Sequence, residues 1–287
     1  MKTEKLKRRI AYCGLLLILS INSIFARDIT VDTSWLLKNI NNKELIIIDT
    51  RSLEDFKAAH IKGAINLPTN DTFRDDNPKY LIKKSMQLEE MLQGVGVSNS
   101  LEVILYDNGD LLNSSRLFWI LEFLGHEKVG IYVDGLKSWR EKKHPIESGY
   151  GTNRIGDFKI SINSNKIATL KMVKLAIKNE EIAILDGRDV SHYDGSKSIT
   201  ALKGHIPTAL SFPAKSYFKN NELISNDKIE KKFKSVVTKK QIITYCNKGK
   251  QSSLLYFLLR KLGYSKVRHY DGSWPEWSTL EVGLVEL

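Results

Sequence analysis

One block of sequence is written twice in this chain, in the same order, and that repetition limits the available folds more than any other feature. Leu45-Ile-Ile-Ile-Asp-Thr-Arg51 matches Ile182-Ala-Ile-Leu-Asp-Gly-Arg188, and His60-Ile-Lys-Gly-Ala-Ile-Asn-Leu-Pro68 matches His205-Ile-Pro-Thr-Ala-Leu-Ser-Phe-Pro213. Val103-Ile-Leu-Tyr-Asp107 then matches Ile242-Ile-Thr-Tyr-Cys246, and Leu124-Gly125 followed by Asp134-Gly135 matches Leu262-Gly263 followed by Asp271-Gly272. A repeat fixes domain boundaries better than composition does. Two like domains are expected, which suits a length of 287 residues.

Each half opens with a capped helix, Thr33 before Ser34 to Ile40 and Thr169 before Leu170 to Lys178, and continues with short β-branched strands alternating with helical patterns. Such alternation predicts an α/β fold, with a mainly parallel sheet covered by helices on both faces in each half. Residues 145–157 are rich in Gly, Ser, Asn and charge and read as the linker between a first domain over 28–144 and a second over 158–287.

The amino terminus reads as an export signal over residues 1–26. Lys2, Lys5, Lys7, Arg8 and Arg9 precede an apolar stretch from Ile10 to Ile21, and small residues lead to Ala26, after which cleavage is expected. An uncleaved anchor is the lesser reading, because the apolar core is shorter than the ~20 residues a spanning helix needs. The protein is thus expected in the periplasm or secreted. Removing the signal removes Cys13 and leaves Cys246 alone, so no internal disulfide is possible. The net charge of +11 suits an anionic substrate. No arginine-rich or aromatic-interleaved stripe points to nucleic acid.

The segment from Gln241 to Ser253 carries the chemistry. A buried-strand pattern stops at Cys246, a loop of small and basic residues follows, and Leu254, Leu255, Phe257, Leu258 and Leu262 recur at helical spacing. Cys246 therefore falls at the carboxyl end of a strand, the edge where open α/β sheets bind ligands. Loop N–H groups, the positive end of the next helix, and Lys248 and Lys250 all favour a thiolate, and two lysines with a glycine argue for an exposed, electropositive place. The first half has Asp107 at this position, followed by Asn-Gly-Asp-Leu-Leu-Asn. A carboxylate cannot replace a thiolate as nucleophile toward sulfur, so the first half is expected to be silent and to supply a wall of the cleft.

Taken together, the Asp-x-Arg strand ends at Asp49-Arg51 and Asp186-Arg188, the His-Ile segments at His60 and His205, the loop Cys246 to Gln251, and Val267-Arg-His-Tyr-Asp-Gly-Ser-Trp-Pro-Glu-Trp277 resemble a tandem-domain rhodanese. The resemblance implies two rhodanese-like domains, the first inactive, and a ping-pong sulfur transfer. Cys246 would take the outer sulfur of a small anionic donor such as thiosulfate and pass it to cyanide, a thiol or a dithiol. It implies no metal, flavin or nucleotide, and the expected working form is a monomer. The donor site would be Asn247, Lys248, Gly249, Lys250, Gln251, Ser252 and His192.

Lys248 stands where thiosulfate-using members carry a basic residue, whereas mercaptopyruvate-using members resemble Cys-Gly-Ser-Gly. Two departures mark this chain. Asn247 stands where arginine is common, and His192-Tyr193-Asp194-Gly195 replaces an arginine followed by an aromatic residue and glycine. They keep open a persulfide carrier with little small-molecule turnover, beside a mercaptopyruvate sulfurtransferase. A phosphatase loop would need an arginine six residues after the cysteine, where this chain has Ser252. Other candidates read as structural: Arg51 and Arg188 as ties to carboxylates, His60 and His205 as turn packing, Trp274 and Trp277 as core or cleft wall, and Lys250 as a solvated cation.

Overall fold

The structure is a computed structural model that describes residues 29–75, 80–151, 154–280 and 284–287. The expected export signal, its cleavage point and Cys13 lie outside the described residues.

Among the described residues, each half forms a five-stranded parallel sheet. In the first the strand order is Thr30–Val31, Val129–Tyr132, Glu102–Tyr106, Leu45–Asp49, Ile65–Asn66. In the second it is Ile167–Ala168, Val267–Tyr270, Gln241–Tyr245, Ile182–Asp186, Leu210–Ser211. The two orders correspond strand for strand. The central strands are apolar on both faces because both faces are covered: Ile46 and Ile48 point to one core, Leu45 and Ile47 to the other.

The inner faces merge. The helix Leu112–Phe123 of the first half packs on Lys250–Lys261 of the second, and Leu117, Phe118, Leu254 and Phe257 belong to one buried cluster. Phe118 and Phe257 meet edge to face at 5.3 Å. Burying each such side chain contributes roughly 1.5–3 kcal/mol, so the seam stabilises both halves. A buried acid reinforces the seam: Glu122 accepts from Arg260 Nη2 at 2.8 Å and from the Tyr256 hydroxyl at 2.5 Å, with Lys166 at 3.4 Å.

The chain ends of several elements differ from the sequence reading. The first helix is Thr33–Asn39 and is capped by Asp32, whose carboxylate accepts the Trp35 N–H at 2.7 Å. Thr33 instead donates its hydroxyl to Asp134. In the second half Thr169 is the cap, and the helix stops at Ala176, short of Lys178. The expected linker is not free chain: Ile146–Glu147 pairs antiparallel with His60–Ile61. Residues 156–163, partly assigned to the second domain, hydrogen-bond to the first instead, as with Phe158 N–H to Val97 O and Ser161 N–H to Leu124 O. Phe158 explains this, since its ring is fully buried in the shared cluster.

Candidate active site

The strands Gln241–Tyr245 and Glu102–Tyr106 lead into loops built on one plan around different side chains. Cys246 opens the loop of the second half, which closes at Gly249, just before the helix Lys250–Lys261. Gly249 holds φ +81°, a left-handed conformation that glycine adopts without strain. Its N–H turns inward and donates to Cys246 Sγ at 3.1 Å, and the Ser252 hydroxyl lies 3.2 Å from both that sulfur and the Gly249 carbonyl, so it can turn its hydrogen to the sulfur. Both bonds strengthen as charge builds on sulfur, and the positive end of the helix lies behind them. The exposed setting expected for the cysteine is wrong, since Cys246 is only 1% exposed. The loop wraps the sulfur and leaves Lys248 as its exposed member.

The backbone of Cys246 is held from the far side. Its N–H donates to Ser273 Oγ at 3.3 Å, and its carbonyl accepts the Trp274 N–H at 2.9 Å. Ser273 sits at φ +50°, which costs a non-glycine residue about 1–2 kcal/mol. Its bonds to Cys246 and to the Tyr270 carbonyl, the latter at 2.9 Å, offset that strain.

In the first half the loop turns round the carboxylate of Asp107. Oδ1 accepts the N–H groups of Gly109 and Leu111 at 2.9 and 3.1 Å, and Oδ2 accepts the N–H and hydroxyl of Ser114 at 3.0 and 2.9 Å. Ser114 thus does for Asp107 what Ser252 does for Cys246. The loop's donors are already satisfied from within.

Strand register corrects one part of the repeat. Val103 pairs with Val129 and Ile242 with Val267, so Asp271 corresponds to Val133 and Ser273 to Gly135. The two Asp-Gly pairs are offset by one residue. Asp271 has a different task from Asp134: it binds the guanidinium of Arg116, a fully buried side chain from the first half. Arg116 Nη1 also donates to His269 Nε2 at 2.6 Å. Burial and the Arg116 charge push His269 well below its usual range, so the imidazole is neutral and Nε2 is the acceptor. Asp271 Oδ2 accepts the Ile82 N–H at 3.0 Å. The guanidinium lies directly against the sulfur loop, since a Cβ on Gly249 would come within 2.5 Å of Arg116 Nη1.

The first half therefore does wall the cleft. Lys250 is not a solvated cation as expected: its Nζ donates to Asn70 Oδ1 at 2.8 Å and Asn113 Oδ1 at 2.6 Å, and burial lowers its pKa. Lys248 Nζ lies 4.6 Å from the centre of the Tyr80 ring. Asn247 is half-buried, with its Oδ1 buried and unpartnered. Gln251 turns to the other side, where it lines a cavity of ≈ 530 Å³ with Asn108, Asp110, Leu112, Phe218 and Leu254. That space opens on the Asp107 loop. His192 is half-buried on the short helix Val190–Tyr193, its Nδ1 buried without a partner, and no hydrogen bond described here joins it to the Cys246 loop.

The other structural candidates behave as expected. Arg51 and Arg188 pair with Asp49 and Asp186 at 2.6 Å and donate to the carbonyls of Ala59 and Gly204. His60 stacks on Phe56 and His205 on Tyr193, while Trp274 and Trp277 are fully buried. Sequence reasoning missed Asn70, Tyr80, Asn113, Arg116 and Ser273. One signal was present: Arg116 stands directly before the apolar run Leu117-Phe-Trp-Ile-Leu121 in its helix.

The family model for the rhodanese-like domain matches residues 32–142 and 169–280. The chain is 26% identical over 263 residues to the 3-mercaptopyruvate sulfurtransferase of Escherichia coli K12, covering 86% of this chain and 94% of that protein. It is 24% identical to thiosulfate/3-mercaptopyruvate sulfurtransferase 1, mitochondrial, of Arabidopsis thaliana, over 91% of this chain and 78% of the relative. Among solved structures, the 3-mercaptopyruvate sulfotransferase from Escherichia coli superposes with a TM-score of 0.78, covering 86% of this chain and 98% of that one. The anaerobic ergothioneine biosynthesis enzyme of Chlorobium limicola, 20% identical, has a TM-score of 0.80 over 90% of this chain and 70% of its own, a likeness of fold.

Proposed function

Because this chain belongs to the rhodanese-like family, as a tandem pair related to the thiosulfate/3-mercaptopyruvate sulfurtransferases, we propose that it transfers sulfur through a persulfide on Cys246. The observation that carries this reading is the seat of the sulfur. Cys246 Sγ ends a central strand and receives two hydrogen bonds, from Gly249 N–H and the Ser252 hydroxyl. The Cys246 thiolate attacks the outer sulfur of thiosulfate, a new S–S bond forms, and the old one breaks with its electron pair leaving on sulfite. Cyanide or a thiolate then attacks the terminal sulfur of the persulfide, and Cys246 departs as thiolate. Covalent catalysis divides one transfer into two easier ones. The same N–H and hydroxyl lie ready for the charge on the persulfide.

Thiosulfate is the preferred donor in this reading because Lys248, the exposed cation of the loop, can meet its sulfonate end. A mercaptopyruvate donor is the competing reading, supported by the name of the Escherichia coli relative. With the export signal read over residues 1–26, the reaction would take place in the periplasm or outside the cell.

Intact mass tests the proposal. The purified protein should gain one sulfur on exposure to thiosulfate and lose it to cyanide with release of thiocyanate. Loading by mercaptopyruvate alone would transfer the donor assignment. Loading only from a partner's persulfide would make the chain a carrier, and no loading from any of them would remove the persulfide mechanism.

A further inference from the structure

Arg116, His269 and Asp271 meet beside the sulfur loop, with the arginine coming from one half of the molecule and its two partners from the other. The repeat supplies an internal control. The helices Leu112–Phe123 and Lys250–Lys261 correspond residue for residue, as Ser114 and Ser252 show, so the counterpart of Arg116 is Leu254. Strand register makes Ile131 and Val133 the counterparts of His269 and Asp271. Thus the charged set stands at the loop that keeps a cysteine. Its apolar image, Leu254, Ile131 and Val133, stands at the loop that encloses its own carboxylate.

Burying a guanidinium is costly, and the corresponding positions of the other half, Leu254 and Ile131, are buried without any charge. The arginine's position shows what it can do there. Gly249, whose N–H reaches the sulfur, packs against the guanidinium so closely that a Cβ would collide with Nη1 and Cζ. Asp271 is engaged at Nη2 and by Ile82, and neutral His269 adds no opposing charge. Lys250 is drawn off to the side chains of Asn70 and Asn113, and Lys248 is exposed. Arg116 is then the fully buried cation beside this loop.

We propose that Arg116, lent by the silent half, is a positioning residue for Cys246: it seats Gly249 so that its N–H stays on the sulfur, and its positive charge supports the anionic sulfur. The inference rests on Cys246 as the sulfur-carrying group. In a low-dielectric setting a charge so placed acts strongly, and the second domain alone cannot supply it.

The test uses the full chain and reads alkylation of Cys246 by iodoacetamide at neutral pH, a rate that follows the reactive sulfur without any sulfur donor. Arg116→Met should slow alkylation about tenfold. Arg116→Lys, which keeps the charge, should remain within about threefold of the parent. Thermal melting establishes that each variant is folded. If Arg116→Met does not fold, the pair Arg116→Met with Asp271→Asn removes both charges together and should still slow alkylation, by less than tenfold, because the opposing carboxylate goes with the guanidinium. A folded, charge-free variant alkylated at the parent rate overturns the proposal, as does a lysine variant as slow as the methionine one. In thiosulfate turnover the loss should fall on kcat more than on KM. A chain whose alkylation responds to Arg116 but which takes up no sulfur would overturn the sulfur-transfer reading alone.

Discussion

The Asp107 and Cys246 loops are two answers to one strand-to-helix turn, the first longer by one residue. Both follow a central strand, both lead into a helix of matching length, and both bring backbone N–H (three groups in the first, one in the second) and a serine hydroxyl to the side chain that opens the loop. In the first, that side chain is a carboxylate that absorbs every donor offered. In the second it is a sulfur with two donors on it and the capacity to form a bond. The difference shows that the loop is an anion cradle in both halves, and that reactivity depends on which atom fills it and on what the opposite half brings up to it.

Exchanging the fillings tests this most severely. Cys246→Asp should leave the fold intact, because the first half shows that the cradle accepts a carboxylate, yet abolish sulfur loading in the intact-mass assay. Cys246→Ser should do the same. Asp107→Cys should gain no sulfur at residue 107, since Leu254 stands where the other loop has Arg116. Loading there would mean that the cradle alone suffices.

Emptying the silent cradle comes next. Asp107→Ala strips the acceptor from four hydrogen bonds, three of them buried, and should lower stability by about 3 kcal/mol, read from the denaturant midpoint, with sulfur loading retained. Gly249→Ala should cost about 1–2 kcal/mol from its left-handed φ and reduce loading more than Asp107→Ala does, because the new methyl strikes Arg116. Lys248→Ala should be milder, raising the thiosulfate KM severalfold with melting unchanged.

The smallest effect concerns pH and the seam between the halves. Burial works against the Glu122 carboxylate, but Arg260, Lys166 and the Tyr256 hydroxyl bring it below its ordinary value of 4.5. A lowered carboxylate contributes stability that is complete above that ordinary value and disappears as pH falls through the folded one. Melting measured across this acid range should fall less steeply for Glu122→Gln than for the parent.

Much of this was legible in the sequence because it is written locally. The Asp-x-Arg strand ends, the alternating strands and helices, and the cysteine at a strand's end each state their geometry within a few residues, and the repeat states it twice. What lay hidden depends on contact across the seam. Arg116 precedes Cys246 by a whole domain, and nothing in its helix reveals that Gly249 will rest on it. The Asp-Gly pairs misled because identical letters suggested equivalence, whereas sheet register moves Asp271 one place along and into the grip of Arg116. Lys250 was misjudged for the same reason: its partners Asn70 and Asn113 belong to the other half.

The pairing of Leu112–Phe123 with Lys250–Lys261 also bears on how the protein is made. A chain grows from its amino terminus, so the first of these helices is complete long before the second exists. Until then Phe118 lacks Phe257, the ring it meets in the finished molecule. The nascent first half therefore carries apolar surface on this helix that is covered only once the helix Lys250–Lys261 has been synthesised.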